Sequence, residues 1–335
     1  MIILFLALAF VRCQEKEGKP RTAQSEAATE HQQKEVEGIE ALTEQIRLEP
    51  DNPKNYVIRS EYQLAEGKLE AAIADVDSAI IIDSTYADAH NLRGKIALAK
   101  INMQQAKSSF LKALEYDSSL KDAYLGLAKY YYFVHNDEEA FKAINNALEI
   151  DKYYADAYFL KGIIYKSSKK YRLAASSFQT TVEQDPNYYS AWVELGVLFA
   201  SNNDPIALQY YNTAIDLQPE SAEAWYNKGM YYQEHDEFEK AMDCYRTITS
   251  FDTTYAPAYY NQGFIHMEMG GSQDSAQYFF EKTIAVKPDY AQAHYNLGVL
   301  SFRKGDEVAA SNYFAKALKI EPEFEMAKEA LEQIK

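Results

Sequence analysis

Large apolar and very small residues alternate along this chain with a long, regular beat. Ser60, Gly94, Ala128, Gly162, Gly196, Gly229, Gly263 and Gly298 follow one another at gaps of 34, 34, 34, 34, 33, 34 and 35 residues. Four residues before each stands a large or aromatic side chain: Tyr56, His90, Tyr124, Tyr158, Trp192, Trp225, Tyr259 and His294. About twelve residues after it stands alanine (Ala72, Ala106, Ala140, Ala174, Ala207, Ala241, Ala276, Ala310), and four further on a bulky apolar residue (Val76, Phe110, Ile144, Phe178, Tyr211, Tyr245, Phe280, Phe314). A period of about 34 residues is that of a helix–turn–helix unit in a solenoid. Each unit is predicted to be two short amphipathic helices, A and B, brought close by the small residue on A and the alanine on B. One unit cannot bury its apolar face alone, so stacking supplies the core. Breakers fall between A and B at Gly67, Asn136, Asn203, Asp236, Gly270–Gly271 and Gly305. The short and the long repeat change length at Asn202–Pro205 and at Gly270–Gly271, in those turns.

The order Trp192, Leu195, Gly196, Phe199, Ala207, Tyr211, Pro219 resembles the tetratricopeptide repeat (TPR) pattern W-x2-L-G-x2-Y, A-x3-F, P, and seven further copies keep its phase. Pro186, Pro219, Pro288 and Pro322 close four of them. The resemblance implies an all-α, right-handed superhelical solenoid of eight repeats at 53–86, 87–120, 121–154, 155–188, 189–221, 222–255, 256–290 and 291–324. Residues 30–50 and 325–335 read as capping helices, which keep the ends of such an array soluble. Tyr86, Tyr154, Tyr188, Tyr255 and Tyr290 stand just before helix A, where an apolar residue can staple the helix entry.

A net charge of −16 argues against nucleic acid, whose phosphates demand basic surface, and against an electrostatic hold on anionic lipid. The N-terminus offers another route to a membrane. Ile2–Val11 is wholly apolar, too short to span a bilayer as a helix, and suited to a signal-peptide core over residues 1–12. Cys13 follows, then a polar run. This order resembles a bacterial lipoprotein leader, which implies acylation of Cys13, a flexible tether over 13–29 and a lipid anchor in the outer membrane. Phe10, Val11 and Arg12 stand where such leaders carry small residues, so an ordinary signal peptide, leaving the protein in the periplasm, or a misplaced start remains open.

Reactive chemistry is not legible. There is no H-E-x-x-H, G-x-S-x-G, Walker or G-x-G-x-x-G motif, and the glycines are spaced by the repeat. His90, His294 and His266 occupy scaffold slots. His135 and His235 lie in A–B turns without zinc-site spacing. Asp88, Asp122, Asp156 and Glu223 near the starts of A helices fit a helix-dipole role better than an acidic groove. The expectation is a protein without enzyme activity, metal or small-molecule cofactor.

The TPR resemblance implies that helix A lines the inner wall and that its fifth and ninth slots face a ligand. In the first three repeats these are Val57 and Glu61, Asn91 and Lys95, Leu125 and Lys129, a mixed set. In the last five they are Phe159 and Ile163, Val193 and Val197, Tyr226 and Met230, Tyr260 and Phe264, Tyr295 and Val299, with Met267 and Phe302 extending the stripe. The family's carboxylate clamp pairs Lys at the fifth slot with Asn at the ninth, and no repeat here has that order, which disfavours a clamp. Asn227, Asn261 and Asn296 in the sixth slot match the family pattern and suit a peptide backbone. These residues are the candidate partner-binding set, with burial between repeats as the competing reading. The function so implied is a scaffold that holds a protein or peptide segment; the alternative is a periplasmic adaptor presenting an enzyme or its substrate.

Overall fold

The computed structural model describes residues 38–269 and 272–334. The apolar leader, Cys13, the 13–29 tether and residues 30–37 lie outside the described residues. Among those described there are eighteen helices and no strand, the all-α repeat solenoid that the period predicts. The chain divides between Gln184 and Asp185 into two compact units.

In the first unit, α1 covers 38–48 of the described chain. Four A/B pairs follow: α2 (Pro53–Ala65) with α3 (Leu69–Ile82), α4 (Ala87–Ala99) with α5 (Met103–Tyr116), α6 (Lys121–Phe133) with α7 (Asp137–Ile150), and α8 (Ala155–Ser167) with α9 (Tyr171–Gln184). The second unit holds α10 (Tyr189–Ala200) with α11 (Ala207–Leu217), α12 (Ala222–Glu234) with α13 (Phe238–Phe251), α14 (Ala256–Glu268) with α15 (Gln273–Val286), α16 (Ala291–Arg303) with α17 (Glu307–Ile320), and the lone α18 (Glu325–Ile334).

One contact recurs in six of the eight pairs. The glycine of helix A lies beneath the ring that helix B contributes from the same repeat. A Cβ added to Gly94 would meet the Phe110 ring at 2.6 Å, one on Gly162 the Phe178 ring at 2.5 Å, and one on Gly196 the Tyr211 ring at 2.4 Å. Gly229 with Tyr245, Gly263 with Phe280 and Gly298 with Phe314 repeat the arrangement at 2.8, 2.9 and 2.5 Å. The ring therefore fills the space within its own repeat, and Phe110 also reaches the next one, where a Cβ added to Gly126 would meet it at 2.3 Å. Where the A residue is larger, the B residue is smaller: Ser60 goes with Val76 and Ala128 with Ile144. All eight B side chains and all eight slot alanines are buried. Ser60 also donates from its hydroxyl to the Ala72 carbonyl at 2.9 Å.

The aromatic slot four residues earlier has a different task. Trp192 Nε1 donates to the Pro186 carbonyl and Trp225 Nε1 to the Pro219 carbonyl, both at 2.8 Å. The Tyr56 and Tyr158 hydroxyls donate to the carbonyls of Pro50 and Lys152. His90 and His294 place Nε2 2.9 Å from the carbonyls of Ser84 and Pro288. A carbonyl only accepts, so Nε2 carries the proton in both. In each case the side chain ties down the loop six residues upstream, which sets the entry angle of helix A.

The B-to-A loops are also held by aspartates. The carboxylates of Asp83, Asp117, Asp151, Asp185 and Asp252 accept from the backbone N–H two residues on, at 2.8–3.0 Å. These Asx turns compete with helix continuation and end helix B. Hydroxyls of Thr85 and Ser119, with those N–H groups, hold the carboxyls of Asp83 and Asp117 below the usual range.

Every described A-to-B turn passes through a left-handed residue at the same register: Gly67, Ile101, His135, Lys169, Asn203, Asp236 and Gly305, with φ between 55° and 80°. Paired backbone bonds close the turn, as at Ile101 N–H to Leu98 O and Asn102 N–H to Ala97 O. This is a Schellman helix stop. The breaker read at Asn136 falls one residue late: His135 carries the positive φ, and Asn136 caps α7 by accepting from Glu139 N–H. Ile101 and Lys169 hold the conformation without any breaker residue, forced by the helices on either side.

The ends are sealed by side chains. Arg59 grips Asp75 through two bonds of 2.7 and 2.6 Å and donates a third, of 3.0 Å, to Thr43 of α1. At the other end Phe324 and Ala327 bury against Ala291 and Ala317.

A β-branched residue in the left-handed region costs about 1–3 kcal/mol, whereas glycine loses about 0.5–1 kcal/mol of extra chain freedom on folding. Ile101→Gly should therefore stabilise the protein by about 1 kcal/mol, read as a rise in thermal midpoint; a fall would show that the Ile101 side chain contributes packing despite its exposure.

Candidate functional site

The predicted partner-binding set divides between the two units. Phe159 and Ile163 stand half-buried on α8 in the first, and Phe159 packs on Phe178 with ring centroids 5.5 Å apart. In the second unit, Val193 is buried, Val197, Met230, Phe264, Met267 and Val299 are half-buried, and Phe302 is exposed.

The fifth-slot tyrosines form a ladder. Tyr226 lies 5.9 Å from the Tyr245 ring of its own repeat and 5.7 Å from Tyr255 at the entry of the next. Tyr260 repeats this with Phe280 at 5.6 Å and Tyr290 at 5.0 Å, and also stacks on Phe264. Tyr295 does so with Phe314 at 5.6 Å and Phe324 at 5.2 Å. Each ring is thus a packing element between successive repeats whose remaining surface still reaches solvent. The tyrosines read as helix staples, Tyr255 and Tyr290, are the rungs this ladder steps onto.

Asn261 and Asn296 in the sixth slot are buried, at 6% and 5% exposure. Asn261 Nδ2 donates to the Met230 sulfur at 3.4 Å and Asn296 Nδ2 to the Tyr260 hydroxyl at 3.3 Å. Both amides bridge to the preceding repeat. Asn227 is half-buried. Burial, reinforced by Tyr226, pushes Tyr255 up to about 12; burial likewise raises Tyr260, Tyr245 and Tyr290. At neutral pH the row presents neutral hydroxyls on an aromatic wall.

The first unit differs. Its ninth-slot charges meet the acids that open the next A helix. Lys95 Nζ lies 3.3 Å from Asp122 Oδ2, and the Tyr154 hydroxyl donates to Asp122 Oδ1 at 2.8 Å. Burial acts against the Asp122 carboxylate, but Tyr154, Lys95 and Lys121 together hold its carboxyl below the usual range. Lys129 reaches solvent yet stands hemmed in by the fold, and that desolvation depresses its ammonium despite Asp156 and Asp122 nearby. Asp122 thus links successive repeats, a role beyond the dipole one the sequence suggested; nothing in the linear pattern marks that Lys95 would meet it.

Elsewhere the reactive residue types are occupied. His235 stacks on Tyr231 at 4.1 Å with Nδ1 against the Tyr231 carbonyl, and His266 stacks on Phe279 at 5.5 Å. Cys244 is buried, and burial pushes its thiol up to about 11, far from a nucleophilic thiolate. Among the described residues no group of three or more His, Cys, Asp or Glu could hold a metal ion, and no helix is long and apolar enough to cross a membrane.

Tyr260→Ala removes a ring stacked on three others and should cost about 2–4 kcal/mol, whereas Tyr260→Phe, which loses only the hydroxyl bonded to Asn296, should cost about 1 kcal/mol. Phe302→Ala should leave the thermal midpoint in place. Equal melting of wild type and Tyr260→Ala would show that the ladder carries no packing load.

Tetratricopeptide repeat models match residues 87–120, 210–243 and 260–323, and the model described as anaphase promoting complex subunit 8 / Cdc23 matches residues 133–217. The chain is similar to tetratricopeptide repeat protein 6 of Homo sapiens, 30% identical over 119 residues that make up 36% of this chain and 22% of that protein. It is similar also to anaphase-promoting complex subunit 3 of Schizosaccharomyces pombe, 23% identical over 122 residues, 36% of this chain and 18% of that one. The matches span about a fifth of the length of these curated relatives. Among solved structures, the C-terminal part of a TPR repeat-containing protein from Cytophaga hutchinsonii superimposes with a TM-score of 0.59 at 18% identity, covering 72% of this chain and 99% of that one. Helix pairing, repeat spacing and these matches agree that the chain carries tetratricopeptide repeats.

Proposed function

We propose that this protein is a non-enzymatic scaffold that docks a protein or peptide segment on the A-helix faces of its repeats. The observation that supports this most is the tyrosine ladder Tyr226, Tyr260, Tyr295, with Met230, Phe264, Met267, Val299 and Phe302 beside it. Half-buried aromatic rings held in place by neighbouring rings lose little freedom when a partner covers them, and such anchors dominate binding energy. Phe159, Ile163, Val193 and Val197 supply apolar wall, and Asn227 a polar edge. Asn261 and Asn296 act by fixing the ladder, since their amides are engaged within the repeats.

The leader supports a place for this scaffold in a bacterial envelope. An apolar segment, a cysteine and a polar run fit a chain tethered to the outer membrane through an acylated Cys13. The TPR body would then face the partner at the end of a flexible tether.

Two measurements test the reading. A photo-crosslinking amino acid at Phe302, in cells of the native host, should capture a discrete protein partner, while the same group at Lys282 should not; equal labelling from both positions would refute docking at this face. The wild-type protein should incorporate labelled fatty acid and sediment with membranes, and Cys13→Ser should lose both; a soluble, unlabelled wild-type protein would refute the anchor and leave the scaffold reading in place.

A further inference from the structure

Two neighbouring A-to-B turns of the first unit form an exposed edge with a charge pattern of its own. The turn from α6 to α7 (132–139) and the turn from α8 to α9 (166–173) lie side by side. The Ser168 hydroxyl donates to Asp137 Oδ2 at 3.0 Å, and the Phe141 ring lies 4.9 Å from that of Tyr165. Each turn exposes two large apolar side chains: Phe133 (38%) and Val134 (42%) on the first, Tyr171 (51%) and Leu173 (48%) on the second. Single exposed apolar residues are ordinary, but four on two touching turns make a patch whose exposure to water is unfavourable.

The two turns carry opposite charge. Asp137, Glu138 and Glu139 give the first a formal −3; Lys166, Lys169, Lys170 and Arg172 give the second +4. They do not neutralise each other within the chain. Glu138 and Glu139 both turn to Lys142 of their own helix, at 2.9 and 2.6 Å, and Asp137 accepts from Ser168. Lys169, Lys170 and Arg172 are exposed and make no ion pair among the described residues. Exposed pairs such as those of Lys142 hold weakly, so these acids can exchange partners at little cost.

This pattern selects its occupant. A uniformly acidic or basic partner would match one turn and be repelled by the other. A second copy of this chain, rotated by half a revolution about an axis between the two turns, sets each acidic turn against the basic turn of the other copy. The match is made twice, and Phe133 and Val134 meet Tyr171 and Leu173. Such self-complementarity is what a two-fold interface requires. We propose that the chain forms a two-fold dimer through the A-to-B turns of its third and fourth repeats. The edge belongs to the first unit and the tyrosine ladder to the second, so dimerisation does not rest on the scaffold reading. The two turns supply fewer than the roughly 20–30 residues a side of a standard interface, so the dimer is weak, with a Kd on the order of 10–100 μM.

The test is sedimentation equilibrium of the full chain carrying Cys13→Ser, so that no acyl group brings copies together. This parent should dimerise in that range at about 0.1 M salt, and about 1 M salt should weaken the dimer. Glu138→Lys with Glu139→Lys makes both turns basic; Lys169→Glu, Lys170→Glu and Arg172→Glu together make both acidic. Each variant alone should keep the parent's thermal midpoint and be monomeric at about 100 μM. An equal mixture of the two should dimerise again, since every basic turn then meets an acidic one. Val134→Ser with Leu173→Ser leaves all charges in place and should raise Kd about tenfold or more. A parent that stays monomeric up to about 300 μM would overturn the inference. So would swapped variants that dimerise alone as the parent does, a mixture of folded variants that stays monomeric, or a serine variant with the parent's Kd.

Discussion

The structure depends on a size match between two side chains. In each repeat a residue on helix A and one on helix B share a fixed volume, and the chain fills it in two ways. Glycine takes a full ring above it in six repeats, and serine or alanine takes valine or isoleucine in the other two. Added Cβ atoms would sit 2.4–2.9 Å from ring carbons, closer than packed atoms tolerate, so the glycine is a steric requirement and not a matter of backbone freedom. The rest follows from that contact. It fixes the approach of A and B, the approach forces the left-handed turn even at Ile101 and Lys169, and the turn sets the register that lets aromatic side chains pin the loops before each A helix.

With the repeat fixed, the A-helix faces are free to differ, and the two units use that freedom differently. The second unit builds its face from tyrosines that step from ring to ring, with buried asparagines bridging repeats. The first builds its face from acids and lysines that reach from one repeat to the next. The same slots thus carry an aromatic chemistry in the second unit and a mixed one in the first, where Phe159 and Ile163 on α8 follow the charged residues of α2, α4 and α6.

Most of the fold was legible because its determinants are local and periodic. The glycine spacing, the alanine slot and the closing prolines give helix pairs and phase directly. Two features were not. The partner of each glycine could not be assigned from spacing alone, because a ring at that position can lie within or between repeats. The turns at Ile101 and Lys169 carry no breaker, since the helices on both sides impose the conformation. The candidate site was legible as a list and not as an arrangement. Tyr226, Tyr260 and Tyr295 read as groove residues, with a buried wall as the competing reading; in the structure each is packed on neighbouring rings and only half-buried.

The most direct test of the size match is a double-mutant cycle at Gly162 and Phe178, read by thermal and denaturant unfolding. Gly162→Ala should destabilise by about 1–3 kcal/mol through overpacking and Phe178→Ile by a comparable cavity cost. The double variant, which recreates the natural pairing of Ala128 with Ile144, should recover at least about 1 kcal/mol of the summed loss. Additivity within about 0.5 kcal/mol, the behaviour of sites that do not touch, would contradict the claim that this contact sets the repeat.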